Sequence, residues 1–189
     1  MNIILHLKNI NLAKKNKYDI IASGDCMKGI VCTDIQSLMQ KNINTEYVIE
    51  EIRTIMMQEY PDYIEWFNEK LVPGLNVDRN IVFLLKNHKI IGFVNLKKTN
   101  KENKMSNLYI KPSLYYKKHW DLLINHSIEW LEDYDPVMII SKKEINKCHF
   151  LLVERNWYVS DKRKNNDFVI NRPDEIEKIK RILKTKKTS

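Results

Sequence analysis

The stretch KMSNLYIKPSLYYKKHWDLLINHSIE, residues 104–129, decides the fold because it changes from the period of a strand to the period of a helix. Residues 105–111 alternate between two faces, with Leu108 and Ile110 on one and Asn107, Tyr109 and Lys111 on the other. This two-residue period predicts a half-buried strand. Pro112 ends the strand because proline has no N–H to donate to a neighbouring strand.

An amphipathic helix is predicted directly after this strand, over residues 117–132. Its apolar side recurs at helical spacing and consists of Trp120, Leu123, Ile124, Ser127, Ile128 and Leu131. A strand that leads into a helix N-terminus directs several backbone N–H groups and the positive end of the helix dipole at one place. This arrangement suits a bound phosphate group.

The segments on both sides of this stretch continue a mixed α/β pattern. Upstream, residues 81–85 and 89–98 are rich in β-branched and aromatic side chains and flank Asn87-His88, which predicts a hairpin with a bulge at Gly92. Downstream, we predict a strand at 137–141, a helix at 143–155, and two strands at 157–160 and 167–170.

The two ends of the chain are less regular than its centre. Residues 1–44 are expected to be an N-terminal extension in which one of three β-prone pieces, 2–7, 18–22 or 29–33, is the first strand. Thr45 is expected to cap a helix that Pro61 breaks, and a second helical stretch spans 62–72. Residues 45–172 are expected to form the main domain, with 173–189 as a basic helix packed on it.

Composition indicates a soluble, cytoplasmic protein of one domain. The chain has 189 residues, of which 43% are hydrophobic and 30% are charged. No apolar run approaches the roughly 20 residues of a membrane span, and the first residues lack the features of a secretory signal. Three cysteines without CxxC spacing predict reduced thiols rather than a disulfide framework or a zinc ribbon.

A net charge of +8 indicates attraction to phosphates, whether of a coenzyme or of a nucleic acid. The same Lys- and Asn-rich composition also follows from A+T-rich coding, so the charge alone decides nothing. His119 and His126 would share one helix face with Asp121, but no third ligand stands at a convincing spacing. We therefore expect no metal site.

Residues 112–131, PSLYYKKHWDLLINHSIEWL, resemble the strand-loop-helix of the GNAT superfamily, the acetyl-CoA-dependent N-acetyltransferases. Residues 80–98, NIVFLLKNHKIIGFVNLKK, and 148–159, CHFLLVERNWYV, resemble the hairpin and the last helix-strand step of that family. The similarity covers roughly residues 46–171. It implies a twisted, mixed but mainly antiparallel sheet, flanked by helices and splayed at its central strand, that transfers an acetyl group from acetyl-CoA to an amine.

The resemblance also implies a site. The splayed strand would pair its backbone with the pantetheine arm of the coenzyme, and the following loop and helix would bind its phosphates. The resemblance assigns binding of the coenzyme to Leu108, Ile110, Tyr115, Tyr116, Lys117, Lys118, His119, Trp120 and Asn146. Asn107 and Tyr109 would face the cleft and are the catalytic candidates, for substrate orientation or proton removal. Tyr60, Tyr63 and Trp66 are candidates for contact with the acceptor, an amine-bearing small molecule or protein.

The chain departs from the pattern of the family in two places. At the positions where the family has glycine in its phosphate loop, this chain has Tyr116, Lys118 and Trp120. No glycine follows Gly92. Either these side chains point outward and leave the phosphate site open, or they fill it. The second departure is Leu152, which stands where the family often has a tyrosine that protonates the leaving thiolate.

These departures leave three interpretations open. The first is an N-acyltransferase that uses acetyl-CoA, and the second is a catalytically inactive GNAT-like binding protein. The third is a nucleic-acid-associated protein, because the segment YYKKHW interleaves aromatic rings with lysines. No interpretation requires a membrane.

Overall fold

A computed structural model describes residues 26–27, 29–75, 77–87, 89–114, 117–133, 136–162 and 168–171. The β-prone pieces at 2–7 and 18–22 and the tail at 173–189 lie outside these residues. In chain order, the described elements are β1 (Cys26–Met27), β2 (Ile30–Asp34), α1 (Ile35–Gln40), α2 (Glu46–Glu59), α3 (residues 61–74), β3 (Arg79–Lys86), β4 (Lys89–Lys98), β5 (Asn103–Ile110), α4 (Lys117–Leu131), β6 (Val137–Ile140), α5 (Lys142–Ile145), α6 (His149–Glu154), β7 (Tyr158–Lys162) and β8 (Phe168–Asn171).

The described strands form one sheet in the order β1-β2-β3-β4-β5-β6-β8-β7. Neighbouring strands are antiparallel except for β5 and β6, which are parallel and are connected through α4. The mixed, mainly antiparallel sheet expected from the sequence is therefore confirmed. The piece at 29–33 corresponds to β2, which pairs with β3 and so belongs to the same sheet as the central strands.

Helices cover both faces of the sheet and produce two hydrophobic cores. One core lies between the sheet and helices α4 and α6, and includes Trp120, Leu123 and Leu152. The other lies against α1, α2 and α3, and includes Ile52 and Phe67. Strands buried on both faces become almost continuously apolar, as in the IVFLL segment of β3.

The prediction of a half-buried β5 is wrong, because the second core covers the face that was expected to be exposed. Asn107 and Tyr109 lie on that face with exposed fractions of 9% and 8%. The predicted bulge in the hairpin is confirmed next to Gly92. Leu84 pairs with Gly92 whereas Leu85 pairs with Ile90, so β4 carries one additional residue there.

Two predicted helices differ from the structure in detail. The stretch predicted at 62–72 is a compound helix in which 3₁₀, α and π turns follow one another from Pro61 to Gly74. The helix predicted at 143–155 is two short helices, α5 and α6, separated by a turn that buries Cys148. Thr45 does precede α2, but the Glu46 N–H donates to the Asn44 side chain instead.

Cys32 and Cys148 are buried, and the Cys32 thiol donates to the Leu122 carbonyl of α4. Burial, reinforced by the nearby Glu144 carboxylate, raises the pKa of Cys148 to about 12 and leaves this thiol unreactive at neutral pH. In the part of the chain that the structure describes, no helix has both the length and the apolar character that crossing a bilayer requires.

Candidate active site

Strands β5 and β6 pair over a short distance and then part. Their pairing joins Lys104, Met105 and Ser106 to residues 137–139, and no described residue of β6 pairs with 107–110. β5 continues to Ile110, whereas β6 ends at Ile140 and turns into α5. We call the space between the two strands beyond Ser106 the wedge.

A bulge at Asn107 accompanies this parting. On the β4 side, Phe93 pairs with Tyr109 and Asn95 pairs with Ser106, so β5 has one residue more than β4 over this interval. Asn107 adopts a left-handed backbone with φ of 49°, a conformation that asparagine tolerates better than most residues. The bulge strengthens the local twist, which helps β5 to diverge from β6.

The direction of the β5 backbone places hydrogen-bonding groups in the wedge. The Lys111 N–H donates to the Ile91 carbonyl of β4 over 2.8 Å. Because backbone groups alternate in direction along a strand, the N–H and C=O groups of Leu108 and Ile110 point away from β4, toward the wedge. One of them is engaged, since the Leu108 carbonyl accepts a 2.9 Å hydrogen bond from the buried Tyr60 hydroxyl.

The two catalytic candidates lie on the face of β5 covered by the second core. The Asn107 Oδ1 accepts a hydrogen bond from the Asn95 Nδ2 at 3.3 Å. The Tyr109 ring packs against Phe93, with 5.4 Å between ring centroids. They therefore border the wedge from its α2 side instead of facing open solvent.

The first turn of α4 stands at the end of β5, after a 3₁₀ turn at Pro112–Leu114. Tyr115 and Tyr116 lie outside the described residues. Lys117 is exposed and forms a 2.9 Å ion pair with Glu154 of α6, which raises the Lys117 pKa. Lys118 is also exposed.

The next two side chains of α4 point into the protein. The buried His119 donates from Nδ1 to the Leu114 carbonyl at 2.7 Å, which fixes the turn between β5 and α4. Trp120 is completely buried in the core beneath the helix. Neither ring therefore lies on the outer surface of the helix start, where a phosphate group would bind.

The remaining sequence candidates are scattered. Asn146 is exposed in the turn between α5 and α6, and Leu152 is buried in the first core. Of the aromatic candidates, Tyr60 reaches β5, while Tyr63 contacts the Tyr60 ring edge-on with centroids 6.3 Å apart. Trp66 instead lies under the Arg79 guanidinium, 5.5 Å from it.

Sequence reasoning missed Asn95. This residue lies in the middle of β4, and its side chain is next to Asn107 of β5. Its one signal was a polar residue inside the apolar run FVNL. Because β4 is buried on both faces, such a residue requires a polar partner or a function.

A second polar cluster surrounds Asp34 at the end of β2. The Asp34 carboxylate accepts hydrogen bonds from the Ser37 N–H and hydroxyl and from the Asn80 side chain, and lies 3.2 Å from His126 Nε2. Burial by itself would raise the Asp34 pKa, but the bonds from His126, Asn80 and Ser37 outweigh it and lower the pKa to about 2. Asp34 is thus a charged junction that fixes α1 to β3 and α4.

In the described ranges, no three His, Cys, Asp or Glu side chains converge in a way that would hold a metal ion. His126 is directed at Asp34, whereas His119 is directed at the turn before α4.

Comparison with solved structures identifies the architecture. The PaiA N-acetyltransferase of Thermoplasma acidophilum in complex with coenzyme A is 19% identical, with a TM-score of 0.51 over 77% of this chain and 99% of that one. An acetyltransferase from Streptococcus agalactiae is 11% identical, with a TM-score of 0.54 over the same shares. A GNAT-family acetyltransferase from Staphylococcus aureus is 14% identical, with a TM-score of 0.51 over 76% of this chain and 98% of that one.

Comparison at the level of sequence gives no match. No family model matches the chain. No curated protein matches it either. The likeness to solved structures shows that the chain has the GNAT fold, as the resemblance in its sequence implied.

Proposed function

We propose that this protein is an N-acyltransferase that transfers the acetyl group of acetyl-CoA to an amine. The observation that carries the proposal is the wedge, in which β5 turns the backbone groups of Leu108 and Ile110 away from β4 while β6 diverges. A strand edge of this kind pairs with an extended ligand that has amide groups of its own. The pantetheine arm of coenzyme A is such a ligand.

The residues of the wedge fit the coenzyme in two respects. The N–H groups of Leu108 and Ile110 and the Ile110 carbonyl would hold the pantetheine amides. The Leu108 carbonyl is already bonded to Tyr60 and would not take part. The start of α4, a helix of 15 residues, together with the exposed Lys118, would hold the phosphates through backbone N–H groups and charge.

Lost glycines do not by themselves close the phosphate site. The inward direction of Trp120 and His119 supports the outcome in which the outer surface of the helix start stays open. Lys117 is held by Glu154. Lys118 is exposed in the same first turn of α4 and is a candidate for contact with phosphate.

The reaction requires little acid catalysis from the protein. A neutral amine forms a C–N bond to the acyl carbon as the C–S bond breaks, and the proton lost by the amine ends on the departing thiolate. A thiol has a pKa of about 8.5, so the thiolate leaves readily without a strong acid. Leu152 in place of the tyrosine of the family is therefore compatible with transfer.

The test is a transfer assay with acetyl-CoA and a panel of amines, in which CoA thiol release and acetylated product are both measured. Ile110→Pro removes the N–H that faces the wedge, and we expect it to abolish acetyl-CoA binding. Ile110→Val keeps the N–H and is the matched control, because it alters the same buried side chain. Absence of acetyl-CoA binding by the wild-type protein in calorimetry would refute the proposal.

A second candidate function is a coenzyme A-binding protein without transfer. The burial of Leu152 in the core supports it, because no described side chain from α6 then offers a proton at that position. In the same assay, this candidate predicts a measurable heat of acetyl-CoA binding without product for any amine.

A further inference from the structure

Two side-chain amides lie together in the interior of the sheet, one from β4 and one from β5. Asn95 is 1% exposed and Asn107 is 9% exposed. The Asn95 Nδ2 donates to the Asn107 Oδ1 over 3.3 Å, a long hydrogen bond. Among the residues that the structure describes, no donor lies within hydrogen-bond distance of the buried Asn95 Oδ1.

Strand register locates this pair at the inner end of the wedge. Asn95 pairs with Ser106, and Ser106 is the last residue of β5 that pairs with β6. Asn107 is the next residue, where β5 bulges and leaves its neighbour. Asn107 therefore lies at the point at which β5 and β6 separate, and the Asn95 side chain reaches it from the adjacent strand β4.

An unpaired buried carbonyl is unfavourable, so a donor group that reaches the Asn95 Oδ1 would gain a hydrogen bond there. The Asn95 Oδ1 can accept a hydrogen bond but cannot donate one, so its complement is an N–H or O–H group of a ligand. Asn95 and Asn107 are uncharged, and so are the two described residues that pair with Asn95 across the strands, Ile81 and Ser106. The pair suits a neutral N–H better than it suits a cation.

We propose that Asn95 and Asn107 form the acceptor subsite, in which the Asn95 Oδ1 accepts a hydrogen bond from a primary amine bound in its neutral form. This inference rests on the proposed function and adds the part of the site that the acceptor occupies. A hydrogen bond from one amine N–H to Asn95 orients the nitrogen lone pair toward the inner end of the wedge, where the acyl group would end. Asn95 thus acts as a positioning residue and takes no proton.

The kinetic test compares Asn95→Leu with Asn103→Leu. Asn103 lies on β5 before the wedge, and its Oδ1 is likewise buried without a described donor, while its Nδ2 donates to Asp133. We expect Asn95→Leu to lower kcat/KM for the amine at least tenfold and to leave the Kd for acetyl-CoA unchanged. Asn103→Leu should lower Tm and leave both kinetic constants unchanged.

A purely structural role predicts an unaltered kcat/KM for the amine in Asn95→Leu, whatever the change in Tm. That result would overturn the inference while leaving the proposed function intact.

A binding test decides the question even if the protein transfers nothing. The side-chain NH₂ signals of Asn95 and Asn107 are followed by ¹⁵N NMR during addition of benzylamine, a tripeptide amide with a free N-terminus, or spermidine. We expect at least one of these amines to shift both signals, and benzyl methyl ether, which has no N–H, to shift neither. Shifts without any acetyl transfer would support the amine site and reject the acyltransferase, whereas no shift with any of the three amines would overturn the inference.

Discussion

At the scale of single residues, the Tyr60 hydroxyl connects the end of α2 to the strand that borders the wedge. Tyr60→Phe removes the 2.9 Å bond to the Leu108 carbonyl and leaves a buried acceptor without this donor. We expect the free energy of unfolding to fall by about 1–3 kcal/mol in urea denaturation. Tyr60→Leu also removes the ring contact with Tyr63 and should cost more. Equal stability of Tyr60→Phe and wild type would show that the hydroxyl contributes nothing.

Asp34 gives the fold a defined sensitivity to acid. Its folded pKa of about 2 lies below the ordinary value of 3.8, so the stabilisation is complete above the ordinary value and is lost as the pH falls toward 2. The difference corresponds to about 2 kcal/mol. We expect the stability advantage of the wild type over Asp34→Asn to shrink by about this amount between pH 5 and pH 2 in urea titrations. An advantage that is constant over this range would contradict the assignment.

Some residues of the candidate site could be predicted from the sequence and others could not. The position of Leu108 and Ile110 on a strand was predictable from periodicity, whereas their role toward the coenzyme is implied by the resemblance and stays a prediction. The hydrogen bond from Tyr60 was not predictable, because it joins residues 48 positions apart and depends on how α2 ends. Asn95 was not predictable either, since a single asparagine in an apolar strand does not show which strand it faces.

At the scale of elements, β4 and β5 approach closely at Gly92. A Cβ added there would lie 3.0 Å from the Tyr109 carbonyl oxygen and 3.1 Å from an Ile110 side-chain carbon. Gly92→Ala should push β5 away from β4 and cost about 1–3 kcal/mol in unfolding free energy. The comparison variant is Gly74→Ala, whose Cβ would meet side-chain atoms of Arg79 rather than backbone, and it should cost less than Gly92→Ala in the same denaturation experiment. Similar losses for both variants would argue against a close approach at Gly92.

The bulge in β5 explains why periodicity predicts the strand but not the face on which Met105 lies. Strict alternation places Met105 on the same face as Asn107 and Tyr109. In the structure, Met105 lies in the first core with Leu108 and Ile110, because the additional residue at Asn107 reverses the alternation. Element order follows from periodicity, whereas a bulge inside a buried strand leaves no periodic signal.

At the scale of the whole molecule, helices cover both faces of the sheet. The separation of β5 and β6 is a local gap in this otherwise well-packed structure. The two cores hold β5 from both sides, with Leu108 and Ile110 in one and Tyr109 in the other. The wedge is therefore a preformed feature of the fold. A ligand that enters it would not have to separate paired strands, which lowers the cost of binding.

A preformed wedge makes a prediction for hydrogen exchange over the whole chain. With coenzyme A added at saturation, we expect slower exchange at short labelling times in residues 108–111, because the N–H groups of Leu108 and Ile110 gain a partner. Residues of β3 are the internal control, because this strand is already paired with both β2 and β4 and its amides should not change at short times. Exchange resolved by residue or by short peptides is the measurement. If coenzyme A binds with a measurable heat yet protects a different surface and leaves 108–111 unchanged, the coenzyme does not occupy the wedge.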